Sequence, residues 1–333
     1  MSTHKSLQKI LDEIDNSKIY SPEDHESIKY VKGKPGSVLF VPSDTYGNLQ
    51  QKLKDYPDEL EVYSRYPLAY QINKDGFRSE IEDYNFLHNE EVDIILGCSY
   101  TFGIGFHLQH TWPELLKKML KENNSVPTIN LAMPGAGGDT SFRLLITYLK
   151  KFKKVRRIIH LQPFYARFEF LTDNVAHNSH AGDAETHPII QELCKDKMKR
   201  EYLVNERVHI INHYKNISAC KGMADIHNIP YYYLGYGTTE QSRNPYEIFA
   251  RDIDHGGLTG QYTLAKEFYN KIKAEETSIN FNIYDYAFLG NITKNYKNLH
   301  EFSFNQSEFV AFINNHPDLS KFYPNAHFNK HIM

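Results

Sequence analysis

Apolar residues in this chain gather into short continuous runs separated by stretches with helical spacing, and that alternation sets the expected fold. The runs VDIIL (92–96), VPTINLAM (126–133), RRIIHLQP (156–163) and IPYYYLGYG (229–237) have the pattern of strands buried on both faces. Between them, WPELLKKMLKEN carries Leu115, Leu116, Met119 and Leu120 on one helical face, with Thr111 suited to cap it and Pro113 to its first turn. SFRLLITYLKKFKK, a stretch from about Ile189 to His227, and Leu258–Ala274 are the other helices expected. Strands and helices on this spacing call for a parallel α/β sheet with helices on both faces. In such sheets ligands bind beyond the carboxyl ends of the strands. Polar or glycine-rich segments follow strands at 97–105, 134–139 and 235–256.

The flanks read differently. Residues 1–30 predict a polar helix with a narrow stripe of Leu7, Ile10, Leu11 and Ile14. SVLFV (37–41) is a strand candidate, and PLAYQINKDGFR (67–78) alternates until Asp75-Gly76 turns the chain. Beyond Thr277 the chain is rich in aromatic residues, with one helix expected at Gln306–Asn314. Three sections result: an extension over 1–88, a central α/β domain over 89–275 and an appendage over 276–333.

Composition narrows the classes. Among 333 residues, 38 basic side chains against 41 acidic ones give a net charge of −3, so no global field draws the protein to nucleic acid or anionic lipid. The basic run KKFKKVRR (150–157) reads as a solvated helix end complementing the dipole. No apolar run of membrane-spanning length occurs, and the first residues show no apolar signal-peptide core. Three cysteines are too few for a disulfide framework and fit a reducing compartment, so a cytoplasmic location is expected. The pairs His107/His110, His177/His180 and His209/His213 have helical spacing. Neither His-Glu-x-x-His nor a cysteine cluster accompanies them, so they read as satisfied or surface histidines and no metal is expected. PGAGG lacks the rest of a dinucleotide fingerprint or a Walker lysine, and no cofactor is expected.

Two segments carry candidate chemistry. Ser99 lies in Gly97-Cys98-Ser99-Tyr100-Thr101-Phe102-Gly103, directly after the first buried strand. Flanking glycines suit either a sharp turn that exposes a nucleophilic hydroxyl or a strand–helix turn that needs small residues for packing. Asp252 and His255 lie in Arg251-Asp252-Ile253-Asp254-His255-Gly256-Gly257. This segment is either a capping turn with an exposed histidine, or a carboxylate–imidazole pair able to relay a proton from a serine.

Taken in order, LGCSYTFGIGF with TWPELL, then INLAMPGAGGD, then ARDIDHGGLTGQYTLA resemble the blocks of the SGNH (GDSL-type) hydrolase family. Asn73-Lys74-Asp75-Gly76-Phe77-Arg78 is similar to an N-x-x-GFR stretch upstream of some members. The resemblance covers about residues 70–275. It implies a three-layer α/β/α fold with a flavodoxin-like parallel sheet, Ser99 as nucleophile, His255 as general base and Asp252 as its orienting carboxylate. The backbone N–H groups of Ser99 and Gly135 would form the oxyanion hole. The implied substrate is a small-molecule or glycan ester from which an acyl group is removed, with no nucleic acid or membrane partner. Ser99 Oγ is then expected within about 3.5 Å of the imidazole. Two departures stand out. Cys98 replaces the usual Asp before the nucleophile, and HLQPFYARFEF (160–170) lacks the Asn of the third block. Gln162 is the expected substitute oxyanion donor. Arg167 is the second choice, or an anchor for an anionic part of the substrate. The missing Asn also leaves a second reading, a non-hydrolytic acyltransferase or binding protein on the same fold.

Overall fold

The computed structural model describes residues 36–38, 41, 44–57, 60, 63, 68–120, 126–171, 176–180, 195–196, 198, 203, 205–235, 250–252, 255, 257–278 and 305–322. The helix expected over 1–30 lies outside them. In chain order the strands are β1 (Gly36–Val38), β2 (Tyr70–Ile72), β3 (Glu91–Leu96), β4 (Thr128–Asn130), β5 (Lys154–Leu161), β6 (Arg167–Leu171), β7 (Ala176–His180) and β8 (Tyr231–Leu234). The helices are α1 (Tyr46–Asp55), α2 (Ser99–Phe102), α3 (Trp112–Leu120), α4 (Gly138–Leu149), α5 (Glu206–Ile226), α6 (Leu258–Lys273), α7 (Gln306–Asn314) and α8 (Pro317–Phe322).

The central sheet is parallel throughout, in the order β4-β3-β5-β8, so the strand that leads to Ser99 is interior. The strand pleat sorts its apolar residues onto two faces. Val92, Ile94, Leu96, Ile158 and Tyr231 pack with Leu144 and Leu145 of α4 and with Cys220 and Ala224 of α5. Ile95, Ile159, Leu161, Tyr232 and Leu234 pack instead with Leu115 and Leu116 of α3 and with Tyr262 and Phe268 of α6. The result is a three-layer α/β/α fold. Each fully buried aliphatic or aromatic side chain contributes about 1.5–3 kcal/mol to holding the layers together. Stacking of Trp112 on Phe268 at 4.7 Å joins α3 to α6. Among the described residues no helix is long and apolar enough to cross a membrane.

Of the stretch expected to be helical from about Ile189 to His227, Glu206–Ile226 is helix, capped by the Asn205 side chain, which accepts from the N–H groups of Arg207 and Val208; most of 189–204 lies outside the described residues. Two local expectations need correction. The basic run 150–157 is only partly solvated. Arg156 and Arg157 converge on buried Asp93, with Arg156 Nη2 and Arg157 Nη2 at 2.6 and 2.8 Å, and Lys151 reaches Asp75 at 2.7 Å. Asp93 sits inside the apolar run of β3, opposite Arg157 in register. A carboxylate so placed needs a cation to offset its desolvation. Beyond β5, where no strand is predicted before IPYYYLGYG, lies the antiparallel hairpin β6–β7, with Arg167 opposite His180.

Both flanks join the core. Val41, Leu60, Tyr63, Leu68, Tyr70 and Ile72 form a cluster with Phe102 and Ile104, directly over the segment that follows Ser99. Phe309 and Ile313 of α7 are buried in the α3–α6 layer, with Phe309 against Tyr262 at 5.1 Å.

Candidate active site

β3 delivers the chain to Gly97 at the carboxyl end of the sheet. A side chain there would bring its Cβ to 2.0 Å from Thr101 Oγ1 and 3.2 Å from Leu161 O, so the chain passes this point only as glycine. Thr101 Oγ1 accepts from the Trp112 indole N–H at 3.3 Å, which ties the turn to α3. Ser99 is the first residue of α2. Its backbone N–H therefore has no acceptor within that helix. The side chain is nearly buried, and Oγ lies 4.0 Å from Cys98 Sγ.

The carbonyl groups after Ser99 are held from upstream. Arg78, fully buried, donates from Nη1 to Phe102 O at 3.0 Å and Gly103 O at 2.6 Å, and from Nη2 to Phe106 O at 2.5 Å. A guanidinium presents several donors in one plane, and here they satisfy carbonyl groups left open where α2 ends. Gly103 closes that helix in the left-handed region at φ 78°, and a Cβ would meet Thr111 Cγ2 at 2.1 Å. Thr111 does not act through its side chain as a simple cap; its hydroxyl donates back to Leu108 O at 2.8 Å.

The second turn follows β4. Asn130 accepts the Ala132 N–H at 3.0 Å and donates to Thr101 O at 3.3 Å, and Met133 N–H reaches Gly97 O at 3.4 Å. These bonds set the 131–135 segment beside the Ser99 turn. Gly135 has φ 76°, a conformation that favours glycine. Gln162 ends β5. It is fully buried, its N–H donates to Leu234 O, and its Nε2 lies 2.9 Å from His213 Nδ1 on α5. Burial and nearby His213 push the His160 imidazole down to about 3, and burial does the same to His213. A neutral His213 accepts through Nδ1, which makes the Gln162 amide the donor. Arg167 opens β6, with its carbonyl oxygen 2.9 Å from where a Cβ on Gly137 would stand.

The fourth segment lies between β8 and α6. Asp252 is buried and His255 partly so, and Asp252 Oδ2 lies 2.5 Å from His255 Nδ1. The ring of Tyr100, next to Ser99, sits 5.1 Å from the His255 ring. Arg251 N–H donates to Gly105 O at 3.0 Å, so this segment is also stitched to the one that follows Ser99. Asp252 and His255 are thus brought together, and Ser99 is their neighbour through Tyr100. The Ser99 hydroxyl makes no hydrogen bond to the imidazole here. Contacts between a serine and a general base are often long before substrate arrives. Among the other histidines, His209 Nε2 meets Leu203 O at 2.6 Å and the His107 ring lies edge-on to His110 at 5.6 Å.

Residues of the site's surroundings that motif reasoning passed over are Arg78, Tyr100, Arg251 and Asp44. Arg78, Tyr100 and Arg251 do lie inside the quoted motifs, and for the two arginines a cation embedded in an otherwise apolar or glycine-rich block is the available signal.

No family model and no curated protein matches the chain. Among solved structures, the chain is similar to the psychrotrophic esterase EstA from Pseudoalteromonas sp., with 14% identity over 56% of this chain and 98% of that one, at a TM-score of 0.31. It is also similar to a G-D-S-L family protein from Desulfitobacterium hafniense DCB-2, with 15% identity over 56% of this chain and 100% of that one, at a TM-score of 0.26.

Proposed function

We propose that the chain is a serine hydrolase of ester bonds with Ser99, His255 and Asp252 as its triad. The observation that carries this reading is the 2.5 Å contact between Asp252 Oδ2 and His255 Nδ1, beside the turn that bears Ser99. With Nδ1–H donating to Asp252, Nε2 is the bare nitrogen that takes a proton. The Ser99 hydroxyl turns from Cys98 toward Nε2, and Oγ attacks the ester carbonyl carbon as its proton passes to the imidazole. The tetrahedral intermediate collapses, the bond to the alcohol oxygen breaks, and His255 returns the proton to that oxygen. Water then attacks the acyl-enzyme and gives a proton to Nε2; as the bond between Oγ and the acyl carbon breaks, the imidazole returns that proton to Oγ, leaving the acid and a regenerated Ser99.

Charge on the substrate oxygen grows only on the way to each intermediate. The donors assigned to it are the N–H groups of Ser99 and Gly135 and one amide hydrogen of Gln162, the other hydrogen being held by His213. Arg167 is assigned to an anionic part of the substrate. The substrate class is an acylated carbohydrate or another small ester.

One observation favours the second reading, a non-hydrolytic acyltransferase or binding protein: Gln162, where the resembled family has Asn, already shares its amide with His213. The test is hydrolysis of p-nitrophenyl acetate together with labelling by a fluorophosphonate. Hydrolysis and a label on Ser99, both lost in Ser99→Ala without a drop in thermal midpoint, support the hydrolase. A label on Ser99 with turnover only when an acceptor alcohol is added marks the transferase. No label and no turnover in the folded protein ends both catalytic readings and leaves the binding protein.

A further inference from the structure

A second buried polar network reaches the candidate site from the far end of the sequence. Asp44 and Arg251 are both buried and lie 207 residues apart in the chain. Arg251 Nε stands 3.1 and 3.0 Å from the two Asp44 oxygens, its Nη2 stands 2.8 Å from Oδ2, and its Nη1 donates to Leu68 O at 3.2 Å. Tyr70 completes the network. Its hydroxyl donates to Asp44 Oδ2 and accepts the Gly105 N–H at 2.9 Å. Gly105 in turn accepts the Arg251 N–H, and a Cβ on Gly105 would come within 2.7 Å of Ala250 Cβ and Arg251 N. The segment after Ser99 and the segment bearing Asp252 therefore touch backbone to backbone, with Asp44 and Tyr70 closing the ring.

We infer that Asp44 is a positioning residue, which pins Arg251 so that the adjacent Asp252 is presented to His255. The inference rests on the hydrolase reading above. Two physical arguments carry it. Asp252 belongs to no strand or helix, so no ladder fixes its backbone. The nearest fixed point is Arg251, anchored at its N–H, its guanidinium and its packing against Tyr70, whose ring centre lies 5.8 Å from Cζ. The second argument is charge. Burial opposes the guanidinium, and Asp44 beside it holds Arg251 in its charged form. Burial raises the Asp44 carboxyl above its ordinary range, Arg251 and the Tyr70 hydroxyl work against that rise, and the Asp252 charge adds to it, so the two carboxylates lie within electrostatic reach of each other. With Asp44 occupying the guanidinium, the Asp252 carboxylate is left to the imidazole. Without Asp44, Arg251 becomes a buried cation whose chain neighbour is Asp252, and it competes with His255 for that carboxylate. At metal sites, the residues that orient the ligands change activity by about 10–100-fold when mutated, and an effect of that order is expected here.

The experiment compares the full-length wild type with Asp44→Asn, which keeps shape but not charge, and Tyr70→Phe, which removes one hydroxyl. Three quantities are read at one pH: the rate of fluorophosphonate labelling of Ser99, kcat and KM on p-nitrophenyl acetate, and the downfield proton resonance of His255 Nδ1–H, assigned by its loss in His255→Ala. Asp44→Asn is expected to lower the labelling rate and kcat by about 10–100-fold, to leave KM within about twofold, and to move the resonance. Tyr70→Phe is expected to lower the rates by about fivefold, the loss of roughly one hydrogen bond. A folded Asp44→Asn protein with wild-type rates and an unmoved resonance overturns the inference. If that variant fails to fold, Tyr70→Phe decides, and wild-type values there overturn it equally. If wild-type Ser99 takes no label, the hydrolase reading has failed by itself. The resonance then still tests Asp44, because a shift supports its hold on the Asp252–His255 pair and no shift refutes it.

Discussion

Asp252 accepts twice from His255: Oδ2 faces ring nitrogen Nδ1 at 2.5 Å, and Oδ1 takes the backbone N–H at 3.4 Å. One carboxylate thus orients both the imidazole and the chain that carries it. This fixes the tautomer, with hydrogen on Nδ1 and a lone pair on Nε2.

Asp252→Asn keeps the shape of that contact but replaces a double acceptor with an amide able to donate. The imidazole then favours the wrong tautomer. We expect kcat for p-nitrophenyl acetate to fall by roughly 10³–10⁴-fold with KM nearly unchanged, while the melting curve stays close to wild type. Turnover at the wild-type level would remove Asp252 from the mechanism.

Gln162→Ala and Arg167→Ala separate the two assignments made for the third block. Loss of an oxyanion donor should cost about 10²–10³-fold in kcat with KM steady, whereas loss of an anchor should raise KM alone. Gln162→Ala is also expected to lower stability by about 1–3 kcal/mol, because His213 Nδ1 is left without its buried donor. Steady-state kinetics with both variants, alongside denaturant melts, distinguish these outcomes. Unchanged constants in both would leave the site with only its two backbone donors.

Gly97→Ala should unfold or severely weaken the protein, since its new methyl group meets Thr101 Oγ1 at 2.0 Å. We expect a loss of more than about 2 kcal/mol. The double variant Gly97→Ala/Thr101→Ala clears that hydroxyl and should recover part of the loss, which a double-mutant cycle on thermal midpoints would register as coupling. Additive effects would mean that the hydroxyl is not what excludes a side chain at 97, leaving the Thr101 Cβ, 2.6 Å from the same point and kept in that variant.

Acidification should destabilise the fold through His160 and His213. Burial holds both imidazoles down to about 3, with His213 adding to the effect on His160, whereas in the unfolded chain each takes up a proton below about pH 6.5. Between these values the unfolded state binds more protons, so stability falls as pH drops from about 6.5 toward 3. Each histidine contributes up to about 1.4 kcal/mol per pH unit in that window. His160→Gln should show a shallower decline of thermal midpoint between pH 7 and 4 than the wild type. Equal slopes would contradict the buried neutral state.

The parallel sheet was legible because strands covered on both faces have no reason to alternate, and VDIIL and RRIIHLQP do not. The exception within the first run, Asp93, marked an ion pair that spacing alone does not reveal, since its partners Arg156 and Arg157 stand 63 and 64 residues away. The pairing of Asp252 with His255 was legible because both groups lie within one short turn. Hairpin β6–β7 was not, because its strands pair with each other outside the main sheet and carry charges such as Glu169, which Arg143 of α4 binds through two contacts of 2.7 Å. Asp44 had no local signature at all. Its importance comes from where the fold carries it, against a residue that local pattern reads as ordinary loop.

Chain separation also gives the candidate site a history. The contacts of Arg78 with the carbonyl groups of 102, 103 and 106 span only 24 to 28 residues, and they become available soon after that stretch is made. The Asp44–Arg251 pair has to wait until Arg251, 145 residues beyond Phe106, is made, an interval of about 7–29 s at ordinary rates of synthesis. During that interval the Ser99 turn and its Arg78 partner have been made while the histidine's half has not yet been translated. A ribosome-bound chain halted before Arg251 should therefore hold the first half already shaped and chemically silent.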